Sequence, residues 1–179
     1  MRSDKFHNRA KFIGAQVIGR SFINKYFNKF VYYDLEAKRV LEHRPLGALR
    51  KNVIRFDSQL EFEVFRVIAR YFPIEHIDFH FKIELKPKTQ YSGTTNYFVD
   101  FRVKTSLNEY LFLEAKGLMT KEASLKIKLL EILKPEIHSK LIICSAKKEF
   151  YFGKSYPSSV PLESLNNVIL SNYATHRRY

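Results

Sequence analysis

From Ser58 onward the hydrophobic pattern changes period several times. Leu60, Val64, Phe65, Val67, Ile68 and Tyr71 recur at helical spacing. Ser58 is a good N-cap and Glu61, three residues on, completes a capping box, so a helix opens there and Phe72-Pro73 ends it. From His76 the period drops to two. Ile77, Phe79, Phe81, Ile83 and Leu85 alternate with polar residues, which predicts a strand with one buried face. Pro87 and Ser92-Gly93 mark a loop, residues 96–104 a second strand and residues 109–115 a third, closed by Gly117. Thr120 then caps a helix running to about Leu133, with Leu125, Ile127, Leu129, Leu130, Ile132 and Leu133 as its apolar content and Pro135 as its stop. Leu141-Ile142-Ile143-Cys144 is a continuous apolar run, suited to a strand covered on both faces. A final helix is expected near residues 161–170.

Upstream, Phe30-Val31-Tyr32-Tyr33 and Lys38-Arg39-Val40-Leu41-Glu42-His43 flank a short polar stretch and predict a β-hairpin. Pro45-Leu46-Gly47 breaks the chain, and Asn52-Val53-Ile54-Arg55-Phe56 predicts a further short strand. A short helix is expected over residues 9–20. The order from Ser58 is α-β-β-β-α-β. The expected fold class is therefore α/β of the mixed α+β kind: a central mixed sheet flanked by helices over residues 57–179, preceded by a basic β-hairpin extension over residues 1–56.

Composition narrows the function classes. One cysteine excludes an internal disulfide framework and a Cys-based zinc site. No run approaches the roughly 18 apolar residues of a membrane span, and the opening Met1-Arg2-Ser3-Asp4-Lys5 lacks the apolar stretch of a signal peptide. A cytoplasmic protein, nucleoid-associated when bound to DNA, is the expectation. The net charge is +13, and residues 1–56 carry 13 basic against 4 acidic side chains. Lys and Arg release counterions condensed on phosphates, so a polyanion is the expected partner and DNA the first candidate. A membrane surface is disfavoured, because no long helix pairs a clean apolar face with a basic one.

The candidate chemistry lies on the second and third strands. Asp100 sits amid apolar residues in Tyr97-Phe98-Val99-Asp100-Phe101-Arg102-Val103, and Glu114 and Lys116 end the run Tyr110-Leu111-Phe112-Leu113-Glu114-Ala115-Lys116. Side chains alternate along a strand, so Glu114 and Lys116 share a face, and Asp100 joins them if the strands are neighbours. Charges in a sheet interior cost several kcal/mol unless paired or metal-bound. Mg²⁺ takes hard oxygen ligands such as carboxylates, and Mn²⁺ is expected to substitute. A bound metal activates water and stabilises charge on a phosphate, with Lys116 holding that water or the developing charge.

Asp100 followed by Glu114-Ala115-Lys116, in this order of elements, resembles the D…E-x-K signature of the PD-(D/E)xK nuclease superfamily. The resemblance implies that Asp100 and Glu114 bind metal with the backbone carbonyl of Ala115. It also implies that Lys116 is the catalytic lysine and that Glu61, on the first helix, supports a metal or its water. Capping alone also accounts for Glu61. Val99 stands where many members have proline. Two branches are most similar: phage junction-resolving endonucleases over about residues 58–150, and the endonuclease subunit of heteromeric transposases over about residues 28–116. They imply a Mg²⁺-dependent DNA endonuclease acting in transposition, recombination or junction resolution. Such an enzyme works as a homodimer or within a larger recombination or transposition complex. The alternative is a non-catalytic nucleic-acid-binding subunit of a DNA-processing complex.

Other candidates are weaker. His76 and His80 are four apart, which suits a metal on a helix, but the pattern there is that of a strand. Cys144 reads as a core residue, and Glu63 falls on a different helix face from Glu61. Most of the 11 Tyr and 16 Phe read as core rather than as base-stacking platforms. Arg50 and Lys51, beside the hairpin, and Lys121 and Lys128, on the second helix, are the candidate DNA contacts. Lys121, Lys126 and Lys128 equally suit a solvated helix face.

Overall fold

The computed structural model describes residues 30–43, 45, 52–86, 93–105, 109–146 and 159–173. The chain divides into two compact units between Gln59 and Leu60. The helix expected over residues 9–20 and the proposed contacts Arg50 and Lys51 lie outside the described residues.

The first unit contains a three-stranded antiparallel sheet of order β2-β1-β3, with β1 Val31–Asp34, β2 Arg39–Leu41 and β3 Val53–Phe56. The β1–β2 turn is built by Asp34. Its Oδ1 accepts the N–H groups of Glu36 and Ala37, each at 3.0 Å, and the Asn52 amide at 3.2 Å. A carboxylate that captures nearby N–H groups in this way fixes a turn, and Lys38 completes it in the left-handed region (φ 52°). The hairpin itself is not basic. Asp34, Glu36 and Glu42 oppose Lys38 and Arg39, so the excess of positive charge in residues 1–56 comes from elsewhere in that region.

The second unit is a mixed five-stranded sheet flanked by helices, of order β4-β5-β6-β7-β8. Its elements are α1 Gln59–Ile68, β4 Ile77–Lys86, β5 Thr95–Lys104, β6 Tyr110–Ala115, α2 Lys121–Leu133, α3 Pro135–His138, β7 Leu141–Ser145, β8 Ser159–Pro161 and α4 Leu162–Asn172. Strands β4, β5 and β6 run antiparallel, and β7 and β8 join in parallel. Antiparallel neighbours need only short connections, whereas the parallel β6–β7 step needs a crossover, which α2 and α3 supply. Thr120 caps α2, its hydroxyl accepting the Ala123 N–H at 3.1 Å. Pro135 ends α2 by opening α3, where a missing N–H costs nothing. Strand β7 is buried throughout, as its unbroken apolar run requires.

The expected single buried face of β4 is corrected by the packing. Phe79 meets Phe65 of α1 and Phe101 of β5, with ring centroids 5.7 and 5.8 Å away. Phe81, two residues on, packs instead with Ile83, Leu85, Tyr97, Val99 and Phe112 against Ile127 and Leu130 of α2. Residues of one parity therefore face α1 before position 80 and α2 after it. Strand β5 does the same between Phe101 and Val99. The change occurs at His80, which has φ 49°, and at Asp100, which lies opposite it between the registered pairs Phe79↔Phe101 and Phe81↔Val99. A left-handed residue inside a strand rotates the pleat, so the alternation of burial survives while the faces exchange.

Candidate active site

Three segments converge at this exchange of faces. Glu61 is carried by the first turn of α1, whose buried residues are Leu60, Glu61, Phe62, Val64, Phe65 and Ile68. Its carboxylate is almost wholly buried, at 3% exposure. His80 on β4 places Nε2 3.5 Å from Glu61 Oε1. Glu61, His80 and Asp100 each bring one potential ligand atom into a group in which all lie within 4.8 Å of one another.

Asp100 stands where β5 and β6 part. Main-chain pairing of the two strands reaches Phe101↔Leu113. Beyond it the Ala115 N–H donates to Asp100 Oδ2 at 2.7 Å, so a side chain takes the place of the ladder. On its other edge β6 stays paired with β7, through Ala115↔Cys144 and the Lys116 N–H to the Cys144 carbonyl at 2.7 Å. Glu114 and Lys116 are thereby fixed on a rigid strand end. Lys116 Nζ meets Glu114 Oε1 at 2.5 Å.

The electrostatics are strained. Asp100 is held well above the usual carboxylate range, first by burial, then by the negative charges of Glu114 and Glu61; the Ala115 N–H and Lys116 pull in the opposite direction. Burial lowers Lys116, but Glu114 outweighs it and the ammonium ends above its ordinary value. Burial, then Glu114 and Asp100, push the Tyr97 hydroxyl upward. Tyr97 Oη lies near Glu114, yet neither it nor Glu114 Oε2 makes a hydrogen bond of acceptable geometry among the described residues, and both are buried.

Glu114 and Asp100 thus share the Lys116 ammonium, with Glu61 adding a third carboxylate beside Asp100. A buried carboxylate oxygen without a hydrogen bond is costly, and like charges this close favour protonation of one of them. A divalent cation relieves both, and the oxygen donors of Glu61, Asp100 and Glu114 are of the kind that binds one. The residues present therefore fit a metal.

The four residues expected to carry catalysis, Glu61, Asp100, Glu114 and Lys116, are brought together, with Ala115 between the last two. Lys121 and Lys128 are exposed on α2, and Lys126 is paired with Glu122 at 2.7 Å. Cys144 is fully buried, and burial pushes its thiol up to about 12. His80 is the residue that sequence reasoning missed. The sequence reading set it aside together with His76, as strand residues, whereas its neighbours at the site come from α1 and β5. Phe98, 55% exposed and cross-strand from Lys82, is an aromatic residue of β5 outside the core.

Compared with protein-family models, with curated proteins and with solved structures, the chain shows no match to any of them. No helix among the described residues is long and apolar enough to cross a membrane.

Proposed function

We propose that this protein is a metal-dependent DNA endonuclease of the PD-(D/E)xK type. The observation that carries the reading is the convergence of Glu61, Asp100, Glu114 and Lys116 where β5 and β6 separate. The α-β-β-β-α-β order from α1 to β7, with the short helix α3 between α2 and β7, supports it. In this reading Asp100 and Glu114 hold Mg²⁺, with the Ala115 carbonyl and Glu61 beside them. The ion, when bound, supplies an activated water and a counter-charge for the phosphate. Lys116 is held close to Glu114 and presents its ammonium to the charge that develops during attack. Glu61 orients what the metal side of the site binds. The +13 net charge draws the DNA backbone, with Lys121 and Lys128 exposed on α2 for phosphate contacts.

One such site cuts one strand. A second copy of the chain, or a larger recombination or transposition complex, supplies the second cut. In this reading the protein works in the cytoplasm, at the nucleoid.

Incubation of supercoiled plasmid with Mg²⁺, Mn²⁺ or EDTA tests the proposal. Nicking in either metal, absent in EDTA and abolished by Glu114→Ala, is the expected result. Intact plasmid, junction and duplex in every metal, with tight binding retained, would replace the nuclease with a binding-only subunit.

A further inference from the structure

The nuclease reading gives Phe98 no task, yet Phe98 stands beside the site. A single exposed apolar side chain is ordinary on a protein surface; the position of this one is not. Val99 packs in the core under α2. Phe98, the residue before it on β5, therefore points to the opposite face of the sheet. That is the face on which α1 packs, farther along, at Phe79 and Phe101. Glu61 reaches Asp100 from the same helix. Phe98 and Asp100 are two residues apart, about 7 Å along the strand. Lys82, the registered partner of Phe98 on β4, is exposed beside it, and the residues on either side of Lys82 in that row are His80 and Glu84, both exposed.

We propose that Phe98 is a stacking platform for one unpaired base of the DNA strand being cut, with Lys82 holding a phosphate of the same nucleotide. Along this face the ring has Lys82, Glu84 and Asn96 as neighbours rather than further apolar groups. The apolar patch is one ring wide, which suits the face of a base and is far below the area of a protein interface. A base stacks on a side chain only after it has left its neighbours in the duplex, whose pairs otherwise occupy both of its faces. The platform therefore selects DNA with an unpaired or splayed nucleotide at the point of cutting, such as a flap or the centre of a branch, over continuous duplex. Lys82 gives the phosphate a compact, exposed positive charge. Glu84, two residues farther from Asp100, repels the next phosphate and limits the platform to one nucleotide. The inference rests on the nuclease reading for the phosphate at Asp100, but its test does not depend on cleavage.

The experiment is fluorescence of 2-aminopurine, placed at successive positions of a single-stranded flap on a DNA duplex and titrated with the full chain in Ca²⁺. Affinities for the flap DNA and for a fully paired duplex of the same sequence are measured alongside. The wild type is expected to quench the probe at one flap position. Phe98→Ala should abolish the quench and weaken flap binding about tenfold, with duplex binding changed less than about twofold. Phe98→Trp should restore both, and it keeps the test open should the alanine variant fold poorly. Lys82→Met should keep the quench and lower the salt dependence of flap binding by roughly one phosphate contact. No quench at any position, or equal loss of flap and duplex affinity in Phe98→Ala, overturns the proposal. Self-association lost in Phe98→Ala with flap binding intact also overturns it, and gives the ring to a second copy of the chain. A quench lost in Phe98→Ala, in a protein that cuts no DNA in any metal, supports the platform and overturns the nuclease reading. Metal-dependent cutting with no quench does the reverse.

Discussion

Asp100 Oδ2 accepts the main-chain N–H of Ala115 at 2.7 Å, and this one bond ties the β5 strand to the end of β6 after their own ladder has stopped. Burial first, then the negative charges of Glu114 and Glu61, raise the affinity of this carboxylate for a proton. The site is held together by the residue it destabilises.

Asp100→Asn should therefore stabilise the metal-free protein. A carboxylate raised in the folded state binds more protons there than in the unfolded chain, so folding stability falls as pH rises from its unfolded pKa toward its folded one. Above that window the full penalty is present, and near pH 4 it is nearly absent. Asparagine keeps an acceptor for the Ala115 N–H and removes the charge. In EDTA at pH 8 the variant should melt higher by about 2–4 °C, roughly the worth of 1 kcal/mol in a chain of this length. The gain should shrink at pH 4–5. Thermal melts at the two pH values check this, and a larger gain at the lower pH would contradict it.

Lys116→Met should act in the opposite direction. It leaves Glu114, whose side chain is 4% exposed, without its cation. Breaking a fully buried pair costs about 3–5 kcal/mol. Lys116 keeps 25% of its side chain exposed, so about 1–3 kcal/mol is expected in EDTA. Urea denaturation with and without Mg²⁺ measures it, and the loss should lessen when Mg²⁺ is added.

Phe101→Ala should be among the most damaging core changes. Phe101 is fully buried and packs edge-on to Phe79, which in turn meets Phe65 of α1. Removing a buried aromatic ring of this kind costs about 3–5 kcal/mol. The midpoint of urea unfolding reads the effect, and a loss below 1 kcal/mol would show that the α1 side of the sheet is loosely packed.

Cys144 offers a built-in reporter of unfolding. It is the only cysteine, it is fully buried, and its thiol is pushed up to about 12. The thiolate is the reactive form, so a thiol reagent should label the native protein negligibly at pH 8 and label it fully in denaturant. Rapid labelling under native conditions would mean that β7 opens locally.

Much of this arrangement was legible in the sequence, because it depends on local periodicity. The helical spacing from Leu60 to Ile68, the alternation from Ile77 to Leu85 and the apolar run at Leu141 each fix an element without outside help. The strand β8 was missed, because three residues, one of them a proline, carry almost no pattern. The exchange of faces at His80 was hidden for a different reason. Burial still alternates on both sides of it, and no glycine marks the positive φ. The part of His80 in the site was hidden with it, since the partners Glu61 and Asp100 are remote in sequence. On α2 the apolar content did not predict burial: Ile127 and Leu130 are buried, while Leu125, Ile132 and Leu133 are exposed. The hairpin was expected to be basic because charge was counted over residues 1–56 rather than over its own strands.

Asp100, Glu114 and Lys116 are proposed to form a metal-dependent cutting site. Single-turnover cleavage of a labelled four-way junction and of a duplex in Mg²⁺ tests it most directly. Wild type, Glu114→Ala and Lys116→Ala are compared, with DNA binding measured in Ca²⁺ on the same preparations. The prediction is a fall in cleavage rate of at least about 10²-fold in each variant, the scale on which a charge-stabilising group acts in catalysis, with binding changed less than about threefold. Cleavage by Glu114→Ala at the wild-type rate would contradict the account.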